Sequence, residues 1–86
     1  MYKRQPTAWL LWGAVAERDG RSAEALSRYE RAVHLAPRDP AALLHLGRLR
    51  LRQGDAARAR AELGEVIRLA PGSAPAREAG RLLTAP

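Results

Sequence analysis

The chain has 86 residues, a net charge of +6 and no cysteine, and these three facts exclude several classes of protein. A chain of this length buries only about 60% of its unfolded surface, so it has little room for both a core and a deep catalytic pocket. Without cysteine it forms no disulfide, no thiol nucleophile and no cysteine-bound metal site. Alanine, leucine, arginine and glutamate dominate, and because they favour helices, the composition predicts an all-α fold.

The N-terminal residues imitate a leader peptide. A basic start, an apolar run and an A-x-A pattern ending at Ala16 resemble a signal peptide, but the apolar run is short and its residues also fit the repeat described below. Tyr2–Gln5 resemble the translation of a sequencing adapter, so residues 1–5 are interpreted as a non-native or disordered segment. No stretch approaches the ~18 apolar residues of a membrane span. The compartment stays open, with the cytoplasm slightly favoured.

The first two predicted helices are joined by a tight turn. Apolar residues at steps of three and four predict a helix over residues 6–18. Its predicted buried face consists of Trp9, Trp12, Val15 and Ala16. Asp19-Gly20 ends this helix, since glycine adopts the left-handed conformation that a helix end prefers. Ser22 is predicted to cap the second helix, which ends before Pro37 because an interior proline costs about 3 kcal/mol.

The same signals then recur and predict three more helices. Asp39 is a good N-cap and Pro40 suits the first position of the third helix, which ends at Gln53-Gly54. Asp55 is predicted to cap the fourth helix, which Pro71-Gly72 breaks. A short fifth helix is expected from residue 73 or 74 to about residue 84.

The chain contains an internal repeat. The segment AVHLAP at residues 32–37 returns as VIRLAP at residues 66–71, a shift of 34 residues. Further residues match at the same shift, in the pairs Gly13 and Gly47, Gly20 and Gly54, Ala25 and Ala59, Leu35 and Leu69, Pro37 and Pro71. The order of helix, turn, helix and break therefore occurs twice.

At these positions the sequence resembles a tetratricopeptide repeat protein, whose pattern of about 34 residues is W-x2-L-G-x2-Y…A-x3-F…P. The first unit contributes Trp9, Trp12, Gly13, Ala16, Ala25, Tyr29 and Pro37. The second contributes Leu43, Leu46, Gly47, Arg50, Ala59, Leu63 and Pro71. The resemblance implies antiparallel helix–turn–helix repeats forming an α-solenoid of about two repeats plus a C-terminal capping helix. The repeats are expected at residues 6–39 and 40–73, and a capping helix or truncated third repeat with a tail at residues 74–86.

Several positions of this pattern have a physical role. Gly13 and Gly47 are expected to let a neighbouring helix approach closely, and Ala25 and Ala59 to do the same from the partner helix. Ala16 and Arg50 stand where the family pattern prefers tyrosine. Arg50 is therefore expected to bury its stem in an apolar seam and to extend its charge outwards into solvent.

The resemblance implies a protein–protein adaptor or scaffold that holds a partner peptide or helix on a concave face formed by the first helix of each repeat. The predicted partner-binding residues are Thr7, Leu10, Leu11, Ala14, Glu17, Arg18, Leu44, His45, Arg48 and Arg52. The leucines offer apolar contact, while the basic residues of the third helix form a stripe at spacings i, i+3 and i+7. An acidic segment with a hydrophobic anchor suits both features. The alternative is that the stripe is only a solvated face.

The residues indicate no catalytic, cofactor or metal site. His34 and His45 are too few for zinc, which takes three or four ligands. No serine or threonine has a histidine at a plausible helical spacing, so the sequence predicts no enzyme. The glutamates are instead expected in surface ion pairs, such as Glu62 with Arg58 and Glu24 with Arg28.

Other partners are weaker alternatives. A basic nucleic-acid-binding domain is one, given the arginines at positions 48, 50, 52, 58 and 60, but the two tryptophans are expected in the core rather than as a stacking platform. One family variant clamps a C-terminal carboxylate with lysine and asparagine. Leu10, Ala14 and His45 occupy the corresponding positions here and speak against that variant.

Assembly beyond one chain is the remaining alternative. Two and a half units are fewer than the three or so that stable stacking usually needs. The sequence is therefore interpreted in the first place as a piece of a longer repeat array. A homo-oligomer, with Leu82 and Leu83 receiving another chain, is the second interpretation.

Overall fold

The computed structural model describes residues 5–85 and contains five α-helices within them. The helices are α1 (Pro6–Arg18), α2 (Ser22–Leu35), α3 (Pro40–Arg52), α4 (Ala56–Leu69) and α5 (Ala74–Thr84). No strand occurs between residues 5 and 85, which confirms the predicted all-α fold. The interpretation of the N-terminal segment rests mostly on residues 1–4, which lie outside the described residues, as does residue 86; Gln5 is the N-cap of α1.

The turns inside the two helix pairs are built alike. Gly20 and Gly54 have φ angles of 79° and 86°, the left-handed conformation that glycine adopts without a steric penalty. One residue further on, the backbone N–H of Arg21 donates to the carbonyl of Ala16 at 2.8 Å, and Asp55 donates to Arg50 at 2.9 Å. The glycines predicted to end α1 and α3 therefore have the conformation that this role requires.

Two of the three predicted N-caps of the repeat units are confirmed. The side chain of Asp39 accepts a hydrogen bond from the backbone of Ala41 at 3.0 Å, and that of Asp55 accepts one from Arg58 at 3.3 Å. The prediction for Ser22 is wrong, because Ser22 is already helical and Arg21 is the N-cap, without a side-chain bond. The tight turn brings the chain into α2 one residue early, so the carbonyl of Arg21 accepts the first helical hydrogen bond.

The helices form two layers. α1 pairs with α2 and α3 pairs with α4, while α5 lies against α3 and α4. The first helices of the pairs are neighbours, since α3 contacts both α1 and α5. The second helices lie behind them, α2 against α1 and α3, and α4 against α3 and α5. None of the helices between residues 5 and 85 is both long and apolar enough to cross a bilayer.

In each helix pair, the two helices approach each other most closely at a glycine of the first helix. A Cβ atom at Gly13 would lie 2.4 Å from the ring of Tyr29, and one at Gly47 would lie 2.8 Å from Leu63. Both distances are shorter than carbon atoms tolerate, so the helices approach as closely as they do only because the side chain is missing. Ala25 and Ala59 are completely buried on the partner helices. The predicted close approach is confirmed in both repeats.

The core consists of two clusters with α3 in common. The first joins the helix pair α1–α2 to α3, and its buried members are Ala16, Ala25, Tyr29, Leu46 and Leu49. The second joins α3, α4 and α5, and its buried members are Leu43, Leu63, Val66 and Ala79. Val33 packs against both clusters and connects them.

The predicted burial of Trp12 and Val15 is wrong. Trp12 is 38% exposed and Val15 46% exposed. Their counterparts at the 34-residue shift, Leu46 and Leu49, are 3% and 2% exposed, because the first helix pair packs against them. Within residues 5–85, no corresponding pair of helices packs against α1 on that side, and the apolar positions therefore stay open to solvent.

Candidate functional site

The ten predicted partner-binding residues lie on two neighbouring helices, α1 and α3, and none of them is buried. The exposed ones are Thr7, Leu11, Ala14, Arg18 and Arg52. The half-buried ones are Leu10, Glu17, Leu44, His45 and Arg48. These ten residues are called the α1–α3 face below. On α3 they lie beside the buried positions of that helix, and Leu44 itself packs against the second core cluster.

A hydrogen-bonded group centred on Glu17 joins three helices at this face. The Tyr29 hydroxyl of α2 donates to one Glu17 oxygen of α1 at 2.8 Å, and Arg52 of α3 donates to the other at 2.5 Å. Burial, with a further effect from Glu17, raises the pKa of Tyr29 well above its usual range. The hydroxyl therefore remains a proton donor, and Glu17 and Arg52 are occupied by each other.

His45 lies between the two repeats, at the edge of the face. Its ring stacks on that of Tyr29 with 5.4 Å between centroids, and its Nδ1 lies 3.0 Å from Nη2 of Arg48. Because arginine only donates hydrogen bonds, Nδ1 must accept, and the ring proton resides on Nε2. Burial lowers the pKa of His45, the nearby charge of Arg48 lowers it further, and the ring is therefore neutral at pH 7.

Arg48 is the α3 cation of this face without a carboxylate partner, and Arg18 of α1 likewise forms no ion pair among residues 5–85. Among residues 5–85, the other two α3 cations beyond His45 are paired, Arg50 with Glu62 and Arg52 with Glu17. No acidic side chain in the same part of the chain forms an ion pair with Arg48. Its Nε is buried and has no hydrogen-bond partner there. Arg48 therefore keeps donor capacity that the described residues do not use.

Arg50 does not extend into solvent as the sequence predicted. It is 7% exposed, and its guanidinium donates to Glu62 of α4 at 2.8 Å and to Glu30 of α2 at 2.9 Å. A third carboxylate, Asp55 in the turn, lies 3.8 Å away. The expectation of an outward charge was wrong because acidic residues of three different elements surround the guanidinium and replace the lost water.

The same network corrects the predicted partner of Glu62. Glu62 pairs with Arg50 and not with Arg58, which lies 3.7 Å from Asp55 instead. Burial raises the pKa of Glu62 above its ordinary value, although Arg50 acts in the opposite direction. The predicted surface pair of Glu24 and Arg28 is confirmed, with 3.5 Å between the charged atoms.

The structure also contains a groove that the sequence analysis missed. It has a volume of about 600 Å³ and lies along one side of α5. Its lining residues are Ala74, Arg77, Gly80, Arg81 and Thr84. A feature of the sequence points to this helix. The residues of α5 match those of α3 at a shift of 33 instead of 34, as if the turn before α5 were one residue shorter.

Comparisons with known proteins agree with the helix pairs. A family model described as tetratricopeptide repeat matches residues 7–74. The chain is 43% identical over 68 residues to "Cellulose synthase 2 operon protein C" of Komagataeibacter xylinus, a stretch that covers 79% of this chain and 5% of that protein. It is 44% identical over 52 residues to "Probable biofilm formation methyltransferase WspC" of Pseudomonas putida, a stretch that covers 60% of this chain and 12% of that protein.

The chain thus spans only a small part of the length of both relatives. The matched residues include both pairs of helices except Pro6, together with the two close-approach glycines and the turns within the pairs. The chain belongs to the tetratricopeptide repeat family.

Proposed function

We propose that the chain is a non-catalytic interaction module that holds a segment of a partner protein against the α1–α3 face. Tetratricopeptide repeats are protein-interaction scaffolds, so the general role follows from the family. Beyond that general role, we propose where the partner binds and what chemistry the partner has. The names of the relatives include a methyltransferase and a protein of a cellulose synthase operon, but the chain covers at most 12% of either protein. Their activities are therefore not assigned to it.

The observation that carries the proposal is Arg48, a cation without a carboxylate partner among residues 5–85, on a face that also has half-buried leucines. Leu44 lies one helical turn before Arg48 on α3 and Leu10 lies on the neighbouring α1; both contact the core clusters and keep part of their apolar surface exposed. A partner carboxylate at Arg48 forms a charge-assisted hydrogen bond, while an adjacent apolar side chain covers the leucines. The two contacts together favour an acidic segment with a hydrophobic anchor over a purely charged ligand.

The pairing of the arginines supports a protein partner over a nucleic acid. Of the five cations that favoured nucleic acid, Arg50, Arg52 and Arg58 are held by carboxylates within residues 5–85. Binding of a phosphate backbone depends on the number of cations free to replace counterions. These three arginines are therefore less available to a phosphate backbone than the sequence alone suggests.

The proposal is tested by selecting ligands without prior assumptions. A display library of random twelve-residue peptides is panned against the immobilised chain in about 150 mM salt. Retained peptides are expected to combine Asp or Glu with Leu, Ile or Phe, and to lose binding to the Arg48→Glu variant. Arg60→Glu is the matched control, because Arg60 is exposed on α4 and the substitution changes the net charge equally.

The proposal fails if the enriched peptides bind the Arg48→Glu and Arg60→Glu variants equally well, or if they contain no acidic residue. Circular dichroism of both variants shows whether the helices are retained, so that a loss of binding is assigned to the face and not to unfolding.

A further inference from the structure

The groove on α5 corresponds to surface that is covered in both helix pairs. Gly80 matches Gly47 of α3 at a shift of 33 residues, and Gly47 matches Gly13 of α1 at a shift of 34. A Cβ atom at Gly13 would lie 2.4 Å from Tyr29 of α2, and one at Gly47 would lie 2.8 Å from Leu63 of α4. At Gly80 an added Cβ atom would meet nothing within 4 Å among residues 5–85. In each pair, the second helix thus fills with one large side chain the space that is open at Gly80.

The positions on either side of Gly80 agree with this correspondence. Arg77 matches Leu44, and Thr84 matches Leu51. Both leucines pack against the second core cluster, to which α4 contributes buried side chains. Within residues 5–85, no helix covers the α5 groove, which is open over about 600 Å³. The groove is therefore the counterpart of the surface on which α4 lies, and it has the geometry to receive a helix.

The chemistry of the groove differs from that of its counterpart on α3. Arg77 takes the place of a leucine, while Arg81 keeps the charge of its counterpart, Arg48. Arg77 donates one hydrogen bond to the carbonyl of Gly72 at 2.9 Å, and Arg81 pairs with Glu78. Each guanidinium has five N–H groups, so both keep donors for a ligand. A helix in this groove therefore meets two cations beside the apolar contact at the glycine.

We infer that the groove binds one acidic amphipathic helix of a partner protein, antiparallel to α5, with a large apolar side chain over Gly80 and carboxylates at Arg77 and Arg81. This site is separate from the α1–α3 face, and the inference goes beyond the proposed function. The direction and the large side chain follow from the way α2 and α4 pack. The acidic character follows from charge complementarity with the two arginines.

The helices α2 and α4 also define the pattern that the partner helix needs. Each has 14 residues, with a completely buried alanine four positions before the large side chain: Ala25 before Tyr29 and Ala59 before Leu63. In an antiparallel helix, residues one turn after the large side chain lie towards Arg77, and residues one turn before it lie towards the C-terminal end of α5. Carboxylates on both sides of the large side chain are therefore expected to reach the two arginines.

The test uses a labelled helical peptide and fluorescence anisotropy on the whole chain. The probe has alanine four positions before a leucine, with one glutamate three positions before that leucine and another four positions after it. Its remaining positions are alanine with paired glutamate and lysine, which favour the helix. One control peptide replaces the leucine by alanine, and another replaces the two glutamates of the contact face by glutamine. Both controls are expected to bind more weakly than the probe.

Gly80→Leu tests the apolar contact, because the new side chain occupies the space of the partner's leucine. The variant is expected to weaken binding by about tenfold or more. The chain retains its fold, since this position is open and leucine favours a helix more than glycine does. Ala61→Leu adds a leucine at an exposed position of α4 outside the groove and is expected to change binding by less than about twofold.

The arginines are tested by a second pair of variants. Arg77→Gln with Arg81→Gln is expected to weaken binding of the probe by about tenfold, since two charge-assisted hydrogen bonds are lost. The same double variant is expected to have no further effect on the glutamine control peptide, because the partner charges are then absent. Arg58→Gln with Arg60→Gln removes as much charge from exposed positions of α4 and serves as the control.

The outcomes separate this site from other occupants and from the α1–α3 face. The inference is overturned if the probe does not bind, if Gly80→Leu binds it as well as Ala61→Leu does, or if the two arginines and the two glutamates make no difference. It is also overturned if Arg48→Gln weakens binding, because the peptide then occupies the α1–α3 face. The proposed function is tested by its own peptides and by Arg48, so it stands or fails independently of these results.

Two further measurements exclude other ligands. A dimer of the chain alone that sediments as a monomer after Gly80→Leu would make a second copy the occupant and overturn the inference. Single-stranded DNA that displaces the probe with the same dependence on Arg77 and Arg81 would make the groove a nucleic-acid site, which also overturns it. We expect a monomer and no displacement.

Discussion

The ring of Tyr29 lies so close to the backbone of α1 at Gly13 that no side chain fits between them. An added Cβ atom would lie 2.4 Å from one ring carbon and 2.5 Å from another. Tyr29 is fully buried and its hydroxyl is bound to Glu17, so the ring has no free direction in which to move. Gly64 in α4 is the opposite case, because a Cβ atom there would meet nothing within 4 Å.

We predict that Gly13→Ala destabilises the chain while Gly64→Ala stabilises it. Alanine improves the helix propensity by about 1 kcal/mol at either position. At Gly13 this gain is outweighed by overpacking, which typically costs about 1–3 kcal/mol and is at the upper end for a rigid ring. Free energies of unfolding in urea are therefore expected to fall by about 1–2 kcal/mol for Gly13→Ala and to rise by up to about 1 kcal/mol for Gly64→Ala.

The comparison between the two variants separates the steric effect from helix propensity, since both make the same chemical change in a helix. Equal shifts in the same direction would show that the separation between α1 and α2 adapts to an extra methyl group. In that case the glycines of the repeat have no packing role.

At the scale of the helices, the buried Arg50 of α3 connects α2, α4 and the turn between α3 and α4 through ion pairs. Its charge is surrounded by Glu30 of α2, Glu62 of α4 and Asp55 of the intervening turn. Burial by itself lowers the pKa of Arg50, but the hydrogen bonds and charges of Glu62 and Glu30 together raise it, so the guanidinium remains charged. The position where the family pattern prefers tyrosine thus holds the two helix pairs together by charge.

We predict that Arg50→Met destabilises the chain at neutral pH by about 2–3 kcal/mol, because it leaves Glu62 largely buried without its counter-charge. Arg58→Met is the control. Arg58 has a 70% exposed side chain, and loss of such a pair costs less than about 1 kcal/mol.

The loss of stability in the Arg50→Met variant is also expected to depend on pH. The pKa of Glu62 is raised in the folded chain, and loss of Arg50 raises it further because Arg50 acts to lower it. A carboxyl with a raised pKa binds more protons when folded, so its contribution to stability is fully present below about pH 4 and is lost as the pH rises. Urea unfolding at pH 4 and pH 7 measures the change. A deficit of the same size at both values would contradict a role for the Glu62 charge.

The helices and the Arg50 network differ in how far the sequence predicts them. The bounds of α3 follow from Asp39, Pro40 and Gly54, because capping and turn signals act within a few residues. The partners of Arg50 are 12 and 20 residues away along the chain, on helices whose relative rotation local spacing does not specify. The sequence correctly predicted that the Arg50 side chain is buried. Its partners, Glu62 and Glu30, could be identified only from the packed structure.

At the scale of the whole molecule, the stack was predictable and its open side was not. A period of 34 residues predicts two similar pairs side by side, and the structure has them. The pattern describes a repeat with neighbours on both sides, which is why it predicted Trp12 as buried. In the described part of the chain α1 has a neighbour on one side only, and Leu11, Trp12 and Val15 are 64%, 38% and 46% exposed.

The candidate face was predictable in position but not in its charges. The side of α1 and α3 that stays open follows from the repeat register alone. The pairing of its cations does not, because Glu17 reaches Arg52 across a sequence separation of 35 residues, while Arg18 and Arg48 form no ion pair among residues 5–85. The repeat register also continues into α5, where one residue is absent from the preceding turn and the shift is 33 residues instead of 34.

The open side of α1 leads to a prediction about unfolding. Both tryptophans, Trp9 and Trp12, are in α1, whereas circular dichroism at 222 nm reports on all five helices. In a stack of repeats, stability is approximately a sum of the units and their interfaces. Among residues 5–85, α1 has no neighbour on one side, whereas α3 contributes to both core clusters, so the first pair is expected to unfold before the rest. Tryptophan emission in urea should therefore change at a midpoint about 0.5 M or more below that of circular dichroism, as a loss of about 0.5–1 kcal/mol implies.

Hydrogen exchange provides the independent measurement, with the amides of α3 expected to exchange more slowly than those of α1. Coincident urea midpoints together with equal protection of α1 and α3 would show that the two helix pairs unfold as one cooperative unit, so that the interface across α3 is strong enough to hold α1 in place despite its uncovered side.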